Sequence, residues 1–304
     1  MGERDWPFVG TEALAEGRVT KRTLRSRHEM IYRNVYMPKG HELSAVTKGV
    51  AAWLWSGRAA TIAGLSAAAL HGSRWIDSRL PAELNRTEAC NVDGIVVHRE
   101  KLHDDESCLV RGMPVTTPAR TAFDLGRRKG LTAAVIRVDA LANATGLSPA
   151  SIESVVQNHR GARGLVQLRR VLELMDGGAE SPQGTRTRLV LVRAGLPKPK
   201  TQIVVRNRYG IPFARIDMGY DEWKVGVEFD GPQHWTDPAI RTADIDRQAE
   251  LAALGWRMVH ASGDLLRYRS DLVVVRTCDA LQAAGCTWLA DCGLEERFQR
   301  RCVA

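Results

Sequence analysis

Apolar and polar residues alternate in two short segments in the last third of the chain. The segments, residues 214–218 and 225–230, flank a polar turn at 219–222 and predict a β-hairpin or a close antiparallel strand pair. Successive side chains of a strand point to opposite faces, so we expect the apolar residues of both segments to share one buried face. These residues are Ile216, Val225, Val227 and Phe229, and Trp256 is expected near them.

Acidic residues occupy the other face of the same predicted strands. Asp217, Glu228 and Asp230 are expected to converge there, and carboxylates held close together repel one another unless a cation lies between them. Hard divalent cations such as Mg²⁺ or Mn²⁺ prefer such oxygen ligands. Acids on the surface of a strand are also commonly just solvated. The segment Gly231-Pro232-Gln233-His234 favours a site, because it adds polar groups where the second strand ends.

The pattern D-x(10)-E-x-D-G-x-x-H, from Asp217 to His234, resembles a domain-of-unknown-function group related to very-short-patch-repair (Vsr-like) endonucleases, a branch of the PD-(D/E)XK nucleases. The resemblance covers about residues 180–285. It implies a restriction-endonuclease-like mixed sheet flanked by helices. It also implies that Asp217 and Glu228 bind a metal ion, that Asp230 completes or orients the cluster, and that His234 orients the water or protonates the leaving oxygen.

Two positions depart from that family's pattern. Asp230 stands where the superfamily name places a Lys, and Gly184 stands where relatives carry a Glu in the first helical turn after Ser181-Pro182. These departures favour an alternative in which the nuclease fold is kept without catalysis, as a dimerisation or DNA-holding module. The intact acids and His234 favour hydrolysis instead, so the sequence leaves both hypotheses open.

The first forty residues predict a winged helix-turn-helix. A short helix at 11–16 is followed by a turn, and Thr20 is a good N-cap for a second helix at 21–26. The alternating segment 31–38 ends at a Pro, as a wing strand would. Cations crowd the second helix and predict contacts with phosphate, although a basic helix can also be a solubilising surface. They are Arg18, Lys21, Arg22, Arg25 and Arg27.

The next part of the chain resembles the AbiEi-type antitoxin family of type IV toxin–antitoxin systems. The resemblance is carried by residues 61–72 and 115–125 and covers about residues 8–130. It implies a winged-helix DNA-binding module joined to a second α/β domain, and a cognate toxin as partner. Arg120 and Asp124 lie four residues apart on a predicted helix, which predicts an intrahelical ion pair.

Composition and charge narrow the class of protein. The 304 residues suit two or three domains, and the formal net charge of +8 favours a polyanionic partner. No apolar run is long enough for a membrane span and no apolar signal segment follows Met1, so we expect a cytoplasmic protein. The six cysteines form no Cys-x-x-Cys pair, which predicts reduced thiols rather than a zinc site.

Together these patterns predict an α/β protein with three parts: a winged helix-turn-helix at 1–44, an antitoxin-like α/β region with a helical linker at 45–176, and a PD-(D/E)XK nuclease-like domain at 177–304. The leading hypothesis is binding of double-stranded DNA with Mg²⁺- or Mn²⁺-dependent phosphodiester hydrolysis by the last part. The alternative is a non-catalytic antitoxin-like repressor. Either function is compatible with a homodimer, and neither involves a membrane.

Overall fold

The chain folds into two compact units, Met1–Gly177 and Gly178–Ala304. The structure, a computed structural model, describes residues 6–88, 91–231 and 238–289, and only the backbone of 238–243. Both units are mixtures of helices and sheets, which confirms the predicted α/β class. No helix of the described residues is long and apolar enough to cross a bilayer.

The first unit begins with a winged-helix arrangement, in which two helices are followed by a β-hairpin. The Thr20 side chain caps the second helix, as predicted, by accepting a hydrogen bond from the Thr23 N–H. The predicted single strand at 31–38 is wrong: the chain reverses at Asn34, whose φ of 63° is left-handed, and forms two strands. The elements are β1 (Phe8–Val9), α1 (Gly10–Ala15), α2 (Lys21–Arg27), β2 (His28–Tyr32) and β3 (Val35–Pro38), in the sheet order β1-β3-β2.

A five-stranded mixed sheet and six helices make up the rest of the first unit as far as its residues are described. The sheet order is β6-β5-β4-β8-β7, with parallel pairs β5–β6 and β4–β8. The elements are α3 (Ala45–Trp55), β4 (Thr61–Ile62), α4 (Gly64–Leu70), β5 (Ala82–Asn85), β6 (Ile95–His98), β7 (Ser107–Val110), β8 (Met113–Thr116), α5 (Pro118–Gly126), α6 (Leu131–Thr145), α7 (Pro149–Asn158) and α8 (Leu165–Leu174), with a 3-10 turn at Asp104–Glu106.

The winged helix and this sheet share one hydrophobic core. Val35 of β3 is buried in the same cluster as Val50 of α3 and Ile62 of β4. The Tyr32 hydroxyl donates to the Gly94 carbonyl at 3.0 Å, and burial raises the pKa of Tyr32 to about 12. The wing is therefore held against the sheet by both apolar packing and a hydrogen bond.

The second unit is a four-stranded mixed sheet with helices on both faces. The sheet order is β12-β11-β10-β9, with β10 and β11 antiparallel and β11 and β12 parallel. The predicted strand pair is confirmed, with Met218 opposite Val227. The elements are α9 (Pro182–Ala194), β9 (Lys200–Arg206), β10 (Pro212–Tyr220), a 3-10 turn (Asp221–Trp223), β11 (Val225–Asp230), α10 (Pro238–Ala253), β12 (Arg257–Ser262), α11 (Gly263–Tyr268) and α12 (Ser270–Ala283).

Two apolar clusters cover the two faces of this sheet. Val225 and Val227 are fully buried with residues of α9 and α12, and the half-buried Phe229 packs on the same cluster. The expectation for Ile216 and Trp256 was wrong. Both pack in the opposite cluster with Leu251 of α10. The simple alternation fails on β10, where Ile216 and Met218 are two residues apart and yet join opposite clusters. The paired register of β10 with β11 includes Met218 but not Ile216.

Val227 should contribute strongly to the stability of the second unit. Val227→Ala is expected to lower the free energy of unfolding of this unit by about 1.5–3 kcal/mol, because two buried methyl groups are lost and a cavity remains. Val204→Ala on β9 is the matched control, since Val204 is 52% exposed and should change stability by less than about 0.5 kcal/mol. Equal losses in urea unfolding would contradict the assignment of the buried face.

Candidate functional site

Asp217 lies on β10 beside the central strand β11. Its Oδ2 accepts the main-chain N–H of Phe229 at 3.1 Å. Burial raises the pKa of Asp217, and the nearby charges of Glu228 and Glu180 raise it further, although the Phe229 hydrogen bond opposes the change. The two predicted metal-binding acids, Asp217 and Glu228, are thus close enough to repel each other.

Glu228 already has a cation beside it. The Arg247 guanidinium of α10 donates to both carboxylate oxygens of Glu228, at 2.8 and 3.0 Å. The same guanidinium donates to Asp244 at 2.7 Å, and the hydrogen bond to Glu228 raises the pKa of Arg247. Glu228 is 7% exposed, so this bidentate pair supplies most of the compensation that its charge needs.

The Asp230 carboxylate contacts a different residue, His260. Its Oδ1 lies 3.1 Å from Nδ1 of His260, which stands on β12, and Nε2 of His260 lies 3.3 Å from the side-chain amide of Gln248. The predicted His234 lies outside the described residues. Asp217, Glu228 and Asp230 thus each have a partner of their own, and their carboxylate oxygens do not all lie within 4.8 Å of one another.

Sequence reasoning missed three residues of this site. Arg247 and His260 come from elements that follow β11 in the chain, and no local pattern links them to the acids. Glu180 directly precedes the cap of α9 and forms a 2.9 Å ion pair with Arg215. Ser181 caps this helix by accepting the N–H of Gly184 at 3.0 Å. Gly184 offers no carboxylate at the position where the nuclease relatives carry a Glu, whereas Glu180 lies four residues earlier in the chain.

The described residues contain one group of three His or acidic side chains whose ligand atoms lie within 4.8 Å, and it is in the first unit. It consists of His103, Glu106 and His159. Glu106 is buried and accepts from the fully buried Arg120 at 2.6 Å, and lies 2.6 Å from His159. Burial raises the pKa of Glu106, but the hydrogen bond from Arg120 and the other hydrogen bonds to its carboxylate outweigh this effect, so that the pKa lies below its usual value. Arginine therefore supplies the compensating charge here.

The predicted intrahelical pair extends this buried network. Arg120 Nε donates to Asp124 at 3.0 Å, which confirms the expected contact at i,i+4. Cys108 is a free thiol, whereas Cys90, Cys292 and Cys302 lie outside the described residues.

All five cations predicted to contact DNA are exposed on or beside α2. Arg18 pairs with Glu16 at 2.5 Å, whereas the other four form no ion pair within the part of the chain that the structure describes. No acidic residue lies on α2, and Lys39 joins its C-terminal end by donating to the Arg25 carbonyl at 3.2 Å. The surface formed by Lys21, Arg22, Arg25 and Arg27, here called the α2 surface, is strongly cationic.

Part of the first unit is similar to a known family. Residues 58–174 match the model of the AbiEi antitoxin C-terminal domain, which confirms the antitoxin resemblance for that segment; it starts and ends later than the predicted 8–130. The chain is also 30% identical over 175 residues to uncharacterized proteins of Mycobacterium tuberculosis strains CDC 1551 and H37Rv. That alignment covers 58% of this chain and 64% of each relative. The resemblance of residues 180–285 to nucleases stays a prediction.

The pair between Glu228 and Arg247 should stabilise the second unit. Glu228→Gln is expected to cost about 1–3 kcal/mol at neutral pH, less than a fully buried pair, because the Arg247 side chain is 26% exposed. Asp221→Asn is the control, since it breaks an exposed pair with Lys200 and should cost at most about 1 kcal/mol. Urea unfolding of both variants measures the difference, and a smaller loss for Glu228→Gln would refute the pairing.

Proposed function

We propose that this chain is a DNA-binding regulator of the antitoxin type. The observation that carries the proposal is the α2 surface, an acid-free cationic helix followed by a wing. An α-helix fits the major groove of duplex DNA, and exposed Lys and Arg side chains contact its phosphates. Lys21, Arg22, Arg25 and Arg27 would make those contacts, with Arg18 beside them.

The match at 58–174 supports the second half of the proposal. A segment similar to an antitoxin domain, packed in one core with a winged helix, fits a protein that binds both a cognate toxin and its own operator DNA. A homodimer would place two winged helices on two half-sites of a palindromic operator, with a spacing set by the helical repeat. The partner toxin, the dimer and the cytoplasmic location are parts of this proposal.

Removal of cations from the α2 surface should weaken DNA binding by the full-length chain. For the triple variant Lys21→Ala, Arg22→Ala, Arg25→Ala, the slope of log affinity against log salt should fall by about one unit per lost phosphate contact. The loss should be similar for specific and non-specific duplexes, because phosphate contacts carry no sequence information. Fluorescence anisotropy at several salt concentrations measures the slope.

A second triple variant controls for net charge. Arg160→Ala, Arg169→Ala, Arg170→Ala also removes three exposed arginines from the first unit, but from α8 and the end of α7. Its salt slope should stay at the wild-type value. If both triple variants lower the slope equally, the DNA contact is not made by α2.

We also propose, as a second function, metal-dependent phosphodiester hydrolysis by the second unit. The raised pKa of Asp217 beside Glu228 favours it, because a divalent cation would relieve their repulsion. Asp217, Glu228 and Asp230 would hold Mg²⁺ or Mn²⁺, which when bound polarises a phosphate and lowers the pKa of a bound water. His234 would orient that water or protonate the leaving oxygen. Arg247 would have to release Glu228.

Plasmid nicking with Mg²⁺ or Mn²⁺ tests the second function. Asp217→Asn should abolish nicking, His234→Ala should lower it by about 10²–10⁴-fold, and Asp221→Asn on the exposed turn should leave it unchanged. Gly184→Glu should increase it: a Cβ at 184 would lie 3.4 Å from the Ser181 Oγ, so the backbone accepts a side chain. An inert wild type together with an inert Gly184→Glu variant would leave only the regulator.

A further inference from the structure

The hairpin formed by β9 and β10 exposes large apolar side chains that do not belong to the hydrophobic clusters of the second unit. Tyr209 is 70% exposed and Ile211 is 58% exposed, and Val204 on the adjoining strand is 52% exposed. On the opposite side of β9, Ile203 and Val205 are buried in the core. Val204 thus lies on the face of β9 that points away from the core, and Tyr209 and Ile211 lie exposed in the turn that follows β9.

This exposure belongs to a well-ordered turn. The side-chain Oδ1 of Asn207 accepts hydrogen bonds from the main-chain N–H groups of Tyr209 at 3.0 Å and Ile211 at 3.1 Å. The main-chain N–H of Asn207 donates to the Ile211 carbonyl at 2.9 Å. Gly210 adopts a φ of 77°, which the turn requires. The Arg206 guanidinium closes the turn by donating to the Gly210 carbonyl at 2.9 Å. The turn therefore presents Tyr209 and Ile211 in a fixed arrangement.

The charge of the hairpin is entirely positive. Residues 197–216 contain five Lys or Arg residues and no Asp or Glu. Lys200 and Arg215 pair with acids elsewhere, whereas Arg206 and Arg208 form no ion pair among the described residues. The Arg208 guanidinium lies 4.8 Å from the centre of the Tyr209 ring. Two uncompensated cations thus flank an exposed aromatic ring.

We propose that this hairpin is a second DNA contact of the protein, and that it binds a single strand. Arg206 and Arg208 would contact successive phosphates, while Tyr209 stacks on an unpaired base and Ile211 packs beside it. A cationic surface that carries an aromatic ring binds single strands because every base offers a π-face, whereas bases in a duplex are already stacked. Charge complementarity selects a polyanion, and the ring selects one with exposed bases.

The full chain carrying Lys21→Ala, Arg22→Ala, Arg25→Ala separates this contact from that of α2. In that background, Tyr209→Ala should weaken binding of a labelled single-stranded oligothymidine by about 5- to 100-fold and leave duplex binding nearly unchanged. Tyr209→Phe should keep wild-type affinity, since it keeps the ring. Arg206→Ala with Arg208→Ala should lower the single-strand salt slope by about 1.4 units.

The chain offers a matched control on α11. Tyr268 is 69% exposed and has Arg267 over its ring at 5.2 Å, but acidic Asp264 and Asp271 lie within a few residues of it. Tyr268→Ala should leave single-strand binding unchanged. Three results would each overturn the proposal: no loss with Tyr209→Ala, an equal loss with Tyr268→Ala, or an equal loss on duplex and single strand. Loss of affinity in Tyr209→Phe would likewise exclude stacking.

Discussion

Three buried glutamates of the described residues are each compensated by an arginine from another element, and this constraint connects sheets to helices in both units. Glu83 of β5, Glu106 before β7 and Glu228 of β11 are each less than a tenth exposed. Their partners Arg128, Arg120 and Arg247 lie on or directly after helices. A buried carboxylate without a cation would be strongly destabilising, so each pair ties a sheet to a helix that covers it.

The ion pair between Glu83 of β5 and Arg128 shows how strongly an arginine can stabilise a buried carboxylate. Burial alone would raise the pKa of Glu83, yet hydrogen bonds from His98 and Arg128 lower it to about 2. Glu83 also accepts the N–H of Leu65 at 3.0 Å, which connects the start of α4 to the sheet. The carboxylate thus stays ionised at neutral pH and holds three elements together. Glu106 has the same role around α5, where Arg120 and His159 meet.

In the second unit the ion pair between Glu228 and Arg247 affects whether Glu228 can bind a metal ion together with Asp217 and Asp230. Arg247 gives Glu228 the positive charge that a divalent cation would otherwise bring. Asp217, in contrast, is half-buried with a raised pKa and accepts the main-chain N–H of Phe229. The proposed hydrolysis would therefore compete with structural compensation for the Glu228 carboxylate. Glu228 is free to bind a metal ion only when the Arg247 side chain moves away from it. With Arg247 in place, the pair stabilises the fold of the second unit without a metal site.

The local elements could be predicted from the sequence alone. Three such elements are the cap at Thr20, the antiparallel pair around 219–224 and the Arg120–Asp124 contact. Each depends on residues a few positions apart, whose geometry the backbone sets directly. Only the tertiary structure decided which face Ile216 occupies, which strand carries His260, and that Arg247 pairs with Glu228. Those outcomes depend on strand register and on the docking of α10, which join residues far apart in the chain.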